Sequence, residues 1–370
     1  MSRSPDAETR TETAAPDREA PVPARAAGLG GALGHTARWA LRQRFLAVFV
    51  LLVAIFVYFS LTQKDFFNSA DLSALVTSAG VLWMVSIGLT FVMLTGGFDL
   101  SLGSMLALSG IALGKLMVGS GIPFGYAIVL TLGFGLAVGI VGNGFLIGKL
   151  GLSFLVVTLG TLTLYGGLVD LWSKSITTEI LSPALTALAF NNALGIPVTG
   201  WIMLGVLLLA LYIQRSTYFG RDLYAVGGSS DAARLSGVRV GRTLIAAYAI
   251  AGLLAALAGI IQDARIGAAS PLVGSTVIFD AAAAVLLGGT SFSGGIGGVG
   301  GTAVGVAFLA TLQQGLSISG VQDFWQQIIT GIILVVVVLL DRIQHGGLPT
   351  IRIAGLRWLR RGAADHREGS

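Results

Sequence analysis

The chain has no cysteine among its 370 residues, which excludes disulfides and thiolate metal sites. It has only three histidines, and all of them lie outside the long apolar runs: His35, His345 and His366. A proton relay or a metal site built on histidine inside a membrane is therefore excluded. Charge is also scarce, because 11% of the residues are Asp, Glu, Lys or Arg, whereas ordinary soluble domains carry about 25%. This composition argues against a soluble globular protein.

Apolar residues and glycine make up most of the chain. Hydrophobic residues account for 54% of the sequence, there are 53 glycines, and the mean hydropathy is +0.83. Glycine is common in membrane helices because it lets their backbones approach closely. We therefore expect an all-α, polytopic integral membrane protein. The net charge of +5 comes from short basic clusters between apolar runs, so nucleic acid is not an expected partner.

About ten spanning helices are predicted, some of them short or broken. A span needs about 20 apolar residues, and on that rule residues 37–345 form a transmembrane domain. The predicted spans are 45–61, 72–94, 100–113, 123–147, 154–172, 198–213, 243–261, 275–287, 299–318 and 324–340. The eighth is short and rich in alanine, so a re-entrant pair of half-helices is an alternative for it.

The two ends of the chain differ from this domain. Residues 1–36 mix charges with Pro, Ala and Thr and lack the apolar stretch of a secretory signal, which predicts a disordered tail. Five arginines lie between positions 215 and 242, after the sixth predicted span, and five lie between 342 and 361, after the tenth. Because Arg and Lys collect on cytoplasmic connections, we expect that loop, the tail 1–36 and a basic tail 346–370 to be cytoplasmic.

The loop 214–242 contains residues that are typical of the start and the end of a short helix. Ser229 or Ser230 is the expected N-cap, Asp231 would lie in the first turn, and Gly237 would end the helix. A helix of under two turns is not stable alone in water, so it must pack against something. It is either a docking helix for a partner protein or an interfacial helix that rests on its own chain.

Four ordered motifs resemble the permease subunits of sugar-type ABC importers, the group of ribose, xylose, arabinose, galactose and autoinducer permeases. The motifs are AVGGSSDAARLSGVRV (225–240), AGLLAALAGII (251–261), AAAAVLLGGTSFSGGIGGVGGT (281–302) and GGFDLSLGSMLAL (96–108). The resemblance covers about residues 70–341. It is specific for the family and only weakly specific for the substrate.

The resemblance implies a cytoplasmic helix that docks into a separate ABC ATPase subunit. That subunit would use ATP, while this chain would bind no cofactor and would not be an enzyme. The implied ATPase-coupling residues are Gly228, Ser229, Ser230, Asp231, Ala232, Ala233, Arg234, Leu235, Ser236 and Gly237. The other implied features are an extracytoplasmic solute-binding protein, a permease homodimer and a multi-pass location in the bacterial inner membrane.

Asp99 is the lone charge between Asp71 and Lys115. An unpaired carboxylate inside a membrane is costly, which makes it a candidate functional residue. Asp99 or Ser101, following Gly96 and Gly97, would also cap the helix that begins nearby. A capped helix break is where transporters place polar substrate contacts, so the two roles are compatible.

Three more polar residues complete the predicted substrate pathway. Asn143 and Thr158 lie in otherwise apolar helices, and Asp280 lies in the short eighth segment. Such groups serve as helix-to-helix hydrogen bonds or as ligand contacts. No metal site is expected among them.

The glycine-rich segment 294–301 formally contains GxGxxG at Gly295, Gly297 and Gly300. No strand or βαβ unit surrounds it, so a dinucleotide site is rejected. Its spacing is instead typical of close helix packing. A weak echo between Gly96-Gly97 and Gly288-Gly289, each followed two positions later by a polar residue, hints at two related halves and supports no further argument.

These observations predict the permease subunit of an ATP-driven ABC importer for a sugar or a similar neutral polyhydroxylated solute, working by alternating access. The scarcity of intramembrane charge favours a neutral solute over an ion. The alternative is an ion-coupled secondary transporter, for which Asp99 and Asp280 would be the leading candidate coupling sites.

Overall fold

The computed structural model describes residues 44–346 apart from Asp65 and Phe67. The tail 1–36, and all but the first residue of the tail 346–370, lie outside the described residues. The helices are α1 (Arg44–Thr62), α2 (Ser69–Leu94), α3 (Leu102–Gly119), α4 (Phe124–Gly148), α5 (Phe154–Ser173), α6 (Pro183–Phe190), α7 (Val198–Ser216), α8 (Tyr218–Gly228), α9 (Ser230–Leu235), α10 (Val240–Ile266), α11 (Val277–Leu287), α12 (Val299–Ile318) and α13 (Asp323–Gly346).

Four two-residue strands complete the described part of the chain, as two antiparallel pairs. They are β1 (Thr178–Glu179) with β4 (Ala268–Ala269), and β2 (Asn192–Ala193) with β3 (Ile196–Pro197). Two helices contain π-helical turns, Lys115–Gly119 at the end of α3 and Gly139–Gly144 within α4. The all-α expectation is confirmed.

The number of spanning helices is lower than predicted. Among the described residues, eight helices are long and apolar enough to cross a membrane: α2, α3, α4, α5, α7, α10, α12 and α13. The predicted first and eighth spans are shorter apolar helices, Leu46–Thr62 and Val277–Leu287. At 1.5 Å per residue, α11 is about 17 Å long, well below the ~30 Å hydrocarbon core. The described residues therefore give about eight helices long enough to cross a membrane rather than about ten, and the two remaining predicted spans are the shorter helices.

Three helices, α2, α3 and α10, form the centre of the bundle. Helix α10 packs against α2, α3 and α4, and α12 packs against α1, α2 and α11. Large apolar side chains on α4, α5, α7 and α13 face outward, as expected for helices that contact lipid or another membrane protein.

Close packing of α4 on α10 depends on two glycines four residues apart, Gly135 and Gly139. A Cβ added to Gly135 would lie 2.7 Å from the carbonyl oxygen of Gly252, and one added to Gly139 would lie 2.5 Å from that of Tyr248. Real Cβ atoms do not approach backbone so closely. The missing side chains therefore set the separation of these two helices.

Candidate functional site

The predicted coupling segment folds as the end of α8 followed by α9. Ser229 is the N-cap of α9, and its Oγ accepts a hydrogen bond from the backbone N–H of Ala232 at 3.2 Å. Gly237 has a φ of +85°, and its N–H donates to the carbonyl of Arg234 at 3.0 Å. The positive φ explains why glycine ends this helix. Gly228 is the last residue of α8, Ser230–Leu235 form α9, and Ser236 is its C-cap.

Helix α9 is held to the rest of the chain by one side chain. Ala233 is buried and packs with Val226 of α8 and Val240 of α10. Asp231 and Arg234 are exposed, and Leu235 is 91% exposed. The helix thus rests on its own protein by one face and presents the other face outward, with the apolar Leu235 at its end beside the charged Arg234.

Helix α8 is anchored to the spanning helices. Leu223 is fully buried, and the ring of Phe219 stacks on Phe91 of α2 with centroids 6.3 Å apart. Thr217 caps the helix by accepting a hydrogen bond from the N–H of Gly220 at 3.1 Å. Any force on α8 therefore acts directly on the membrane bundle.

A sharp break separates α2 from α3. Gly96 has a φ of +79°, and its N–H donates to the carbonyl of Met93 at 2.9 Å, which terminates α2. Asp99 follows and is only 1% exposed. Its Oδ1 accepts hydrogen bonds from the backbone N–H of Ser101 at 2.9 Å and from the Ser101 hydroxyl at 2.6 Å. Asp99 therefore satisfies a backbone donor at the start of α3.

The break is tied to two other helices by a buried polar cluster. Asn143 of α4 donates through Nδ2 to Asp99 Oδ2 at 3.0 Å and to Ser101 Oγ at 2.8 Å. Thr161 of α5 donates to Asn143 Oδ1 at 2.8 Å. Each polar side chain of the cluster has a hydrogen-bond partner within the cluster. These bonds hold α3, α4 and α5 together around the break.

The structure thus brings three of the predicted pathway residues, Asp99, Ser101 and Asn143, into one cluster. Thr158 lies beside it, with its hydroxyl 3.4 Å from the carbonyl oxygen of Phe98. In this conformation Asp99 does not line an open passage, because it is almost fully buried. A role in contacting substrate stays a prediction.

Two tyrosines near this region were not predicted from the sequence as part of the site. The hydroxyls of Tyr165 and Tyr248 are buried and make no hydrogen bond to any described residue. A Cβ built on Gly97 would lie 3.0 Å from the Tyr248 hydroxyl, and one on Gly142 would collide with that of Tyr165. A tyrosine within an apolar helix was the only available signal, and it does not distinguish a buried hydroxyl from one at the membrane surface.

Asp280 lies apart from this cluster, in the first turn of α11. Its carboxylate lies near the amide of Gln313 of α12. Gln313 also lines a cavity of about 170 Å³ between α2, α12 and α13. The polar residues around that cavity are Ser78, Gln313, Gln314, Ser317 and Gln326, and the residues that line it include no charged side chain. Amides and hydroxyls of this kind suit a neutral partner with many hydroxyl groups.

The apolar helices define a multi-pass membrane protein. A family model described as "Branched-chain amino acid transport system / permease component" matches residues 72–338. The chain belongs to this family of transport permeases. The family is one of transporters rather than enzymes.

Several curated relatives are permeases that are named for sugars. The ribose import permease protein RbsC of Escherichia coli strain K12 is 35% identical over 309 residues, covering 83% of this chain and 95% of that protein. RbsC of Bacillus subtilis strain 168 is 38% identical over 300 residues, covering 80% and 91%. The xylose transport system permease protein XylH of E. coli K12 is 32% identical, covering 81% and 93%. No solved structure gives a significant match.

Proposed function

We propose that this chain is the permease subunit of an ATP-driven ABC importer, and that α9 docks into a separate ATPase subunit. The observation that carries the proposal is the placement of α9. It is capped at both ends, fastened by Ala233, and exposes Leu235 at 91%. An apolar side chain held outward on an anchored helix suits insertion into a groove of a partner protein.

The remaining partners follow from the same assignment. A permease homodimer encloses the pathway, a solute-binding protein delivers the solute outside, and the ATPase hydrolyses ATP inside. Alternating access then requires that movement of α8 and α9 reach the membrane bundle. In this arrangement the loop 214–242 and both termini lie on the cytoplasmic side of the bacterial inner membrane. It requires the shorter helix α1 and the segment around α11 to cross together with the eight long helices, which makes six crossings before the loop and four after it.

The proposed solute is a sugar or another neutral polyhydroxylated compound. The relatives named for ribose and xylose support this class, while the family description refers to branched-chain amino acids. An amino acid is a zwitterion, and its two charges would need compensating partners within the membrane. The polar residues that line the cavity between α2, α12 and α13 are instead glutamines and serines, beside alanine and leucine. Uptake assays with labelled ribose, xylose and leucine distinguish the two classes, and transport of leucine alone would refute the sugar assignment.

Substitution at the exposed tip of α9 tests the docking role. Leu235→Glu puts a charge where an apolar contact is proposed, and the loss of a hot-spot residue at the centre of an interface costs about 2 kcal/mol or more. We expect a tagged chain purified in mild detergent to bring down an ATPase, and Leu235→Glu to lose it. Leu181→Glu is the matched control, because Leu181 is also 91% exposed and lies in the loop between β1 and α6. Equal recovery of the ATPase by both variants would contradict the docking role.

Disrupting α9 from within gives a second test. Ala233→Pro removes an N–H that donates to the carbonyl of Ser229 at 2.9 Å, and proline inside a helix costs about 3 kcal/mol. We expect this variant to insert into the membrane at normal levels but to lose both the ATPase and solute uptake. Retained uptake would show that α9 is not needed for coupling.

A further inference from the structure

Two polar side chains join α8 to the break between α11 and α12. The Tyr224 hydroxyl donates to the carbonyl oxygen of Gly297 at 2.7 Å. Gln214, at the end of α7, donates through Nε2 to the same hydroxyl. The Oε1 of Gln214 accepts a hydrogen bond from the backbone N–H of Val299, the first residue of α12, at 2.8 Å. We call Gln214 and Tyr224 the α8 latch.

The latch sits in a tightly packed place. Gln214 is 7% exposed, and a Cβ added to Gly298 would collide with its amide. The N–H of Val299 is a helix-start donor with no partner inside α12. If α8 moved without α7 and α12, the Tyr224 hydroxyl would lose both of its partners and the buried amide of Gln214 would lose its acceptor, and a buried polar group without a partner is costly. The latch therefore favours joint movement of α8 and the start of α12.

Backbone contacts connect the C-terminal end of α8 to the first break, which lies between α2 and α3. A Cβ added to Gly227 would collide with the carbonyl oxygen of Leu94, where α2 ends, and with the N–H of Gly295. That N–H donates to the Leu94 carbonyl at 3.0 Å. A Cβ on Gly294 would lie 2.6 Å from the nitrogen of Gly96. With no side chains between these segments, displacement of one presses directly on the next.

We propose that Gln214 and Tyr224 are positioning residues that transmit movement of α8 and α9 to the two helix breaks, so that ATP hydrolysis in the partner drives solute movement. The inference rests on the proposed function. It assigns to these residues a role in coupling rather than in docking, since neither belongs to the exposed surface of α9. Loss of the latch should leave the ATPase bound but disconnect hydrolysis from transport.

The test uses the full transporter, reconstituted in proteoliposomes with its ATPase and its solute-binding protein. Tyr224→Phe removes one hydroxyl, and with it two of the three latch bonds, while the ring remains. Tyr212→Phe is the matched control, because Tyr212 lies on α7 and is 62% exposed. We measure ATPase recovery, the rate of ATP hydrolysis and the rate of solute uptake in the same preparation.

We expect Tyr224→Phe to retain the ATPase and its hydrolysis while uptake per ATP falls about five- to tenfold or more, the range of ordinary coupling effects. Gln214→Met, which keeps the side-chain volume, should act in the same direction. Tyr212→Phe should match the parent. A Tyr224→Phe transporter with the parent's ratio of uptake to ATP would overturn the proposal. If the parent chain recovers no ATPase, the proposed function itself is contradicted. That result differs from one in which the ATPase binds but Tyr224→Phe leaves coupling unchanged.

A distance measurement separates coupling from simple destabilisation. The chain has no native cysteine, so spin labels can be attached at Ala225→Cys on α8 and Ile296→Cys in the second break, both near the latch. We expect one narrow distance distribution with and without ATP when Tyr224 is present. With Tyr224→Phe, ATP should broaden or shift that distribution. Indistinguishable distributions in the two backgrounds would also overturn the proposal.

Discussion

The buried cluster around Asp99 makes a sharp prediction about Thr161. Thr161 is 6% exposed, and its hydroxyl donates to Asn143 Oδ1 at 2.8 Å. Thr161→Val keeps the shape of the side chain but leaves the amide oxygen of Asn143 without this donor. A buried acceptor without a partner costs about 1–3 kcal/mol. We therefore expect the free energy of unfolding to fall by that amount.

Thr163 provides the matched control on the same helix. Thr163 is exposed, and its hydroxyl only back-bonds to the carbonyl of Leu159 at 3.2 Å. Thr163→Val should change the free energy of unfolding by less than about 0.5 kcal/mol. Equilibrium unfolding in mixed micelles, with SDS as the titrant, measures both variants.

Asn143→Ala extends the series. It removes two donated bonds and one accepted bond, so we expect a loss of about 2–5 kcal/mol. Equal losses for Thr161→Val and Thr163→Val would refute the closed cluster as a brace of the helix break.

Glycine contacts give two further matched predictions. Gly139→Val should separate α4 from α10 and destabilise the bundle by about 1–3 kcal/mol or more. Gly133→Val should be tolerated, because an added Cβ at Gly133 meets nothing within 4 Å. Thermal unfolding in detergent compares the two variants, and similar melting temperatures would contradict the proposed role of Gly139 in helix packing. Gly227→Ala should sharply reduce solute uptake because its Cβ collides with backbone at both helix breaks. Gly205→Ala on α7, where an added Cβ meets nothing within 4 Å, should transport normally. Equal uptake by the two variants would contradict the contact between α8 and the breaks.

The local features of the loop were predictable from sequence. Capping of α9 by Ser229 and its termination at Gly237 depend on residues within one turn, and both follow from side-chain chemistry and backbone conformation. The exposure of Leu235 did not follow, because it depends on which single residue, Ala233, packs against Val226 and Val240.

Long-range contacts were harder to predict. Asp99, Ser101 and Asn143 were each chosen as polar residues in apolar surroundings, but their meeting spans 42 to 44 positions in the chain and depends on how α3 packs beside α4. Gln214 and Tyr224 gave no signal, since a glutamine at the end of an apolar run is an ordinary boundary residue.

The weak echo between the two glycine pairs has a structural counterpart. Gly96 and Gly289 have φ values of +79° and +88°, and the N–H of each donates to the carbonyl three residues before it. The two breaks therefore end their helices in the same way. In the glycine-rich segment, Gly301 lies against the backbone of Gly288, the residue that follows α11, which agrees with the close packing predicted for this segment. Gly297 lies instead in the loop, with a φ of +105°.

The energy source of transport is the most direct test of the central claim. The tagged chain is purified with whatever ATPase accompanies it, reconstituted in proteoliposomes with the solute-binding protein, and assayed for uptake with ATP inside and no ion gradient. We predict uptake that requires ATP and stops when Leu235→Glu removes the ATPase. Uptake by the chain alone, driven by a proton or sodium gradient without ATP, would contradict the account and make Asp99 and Asp280 the candidate coupling sites.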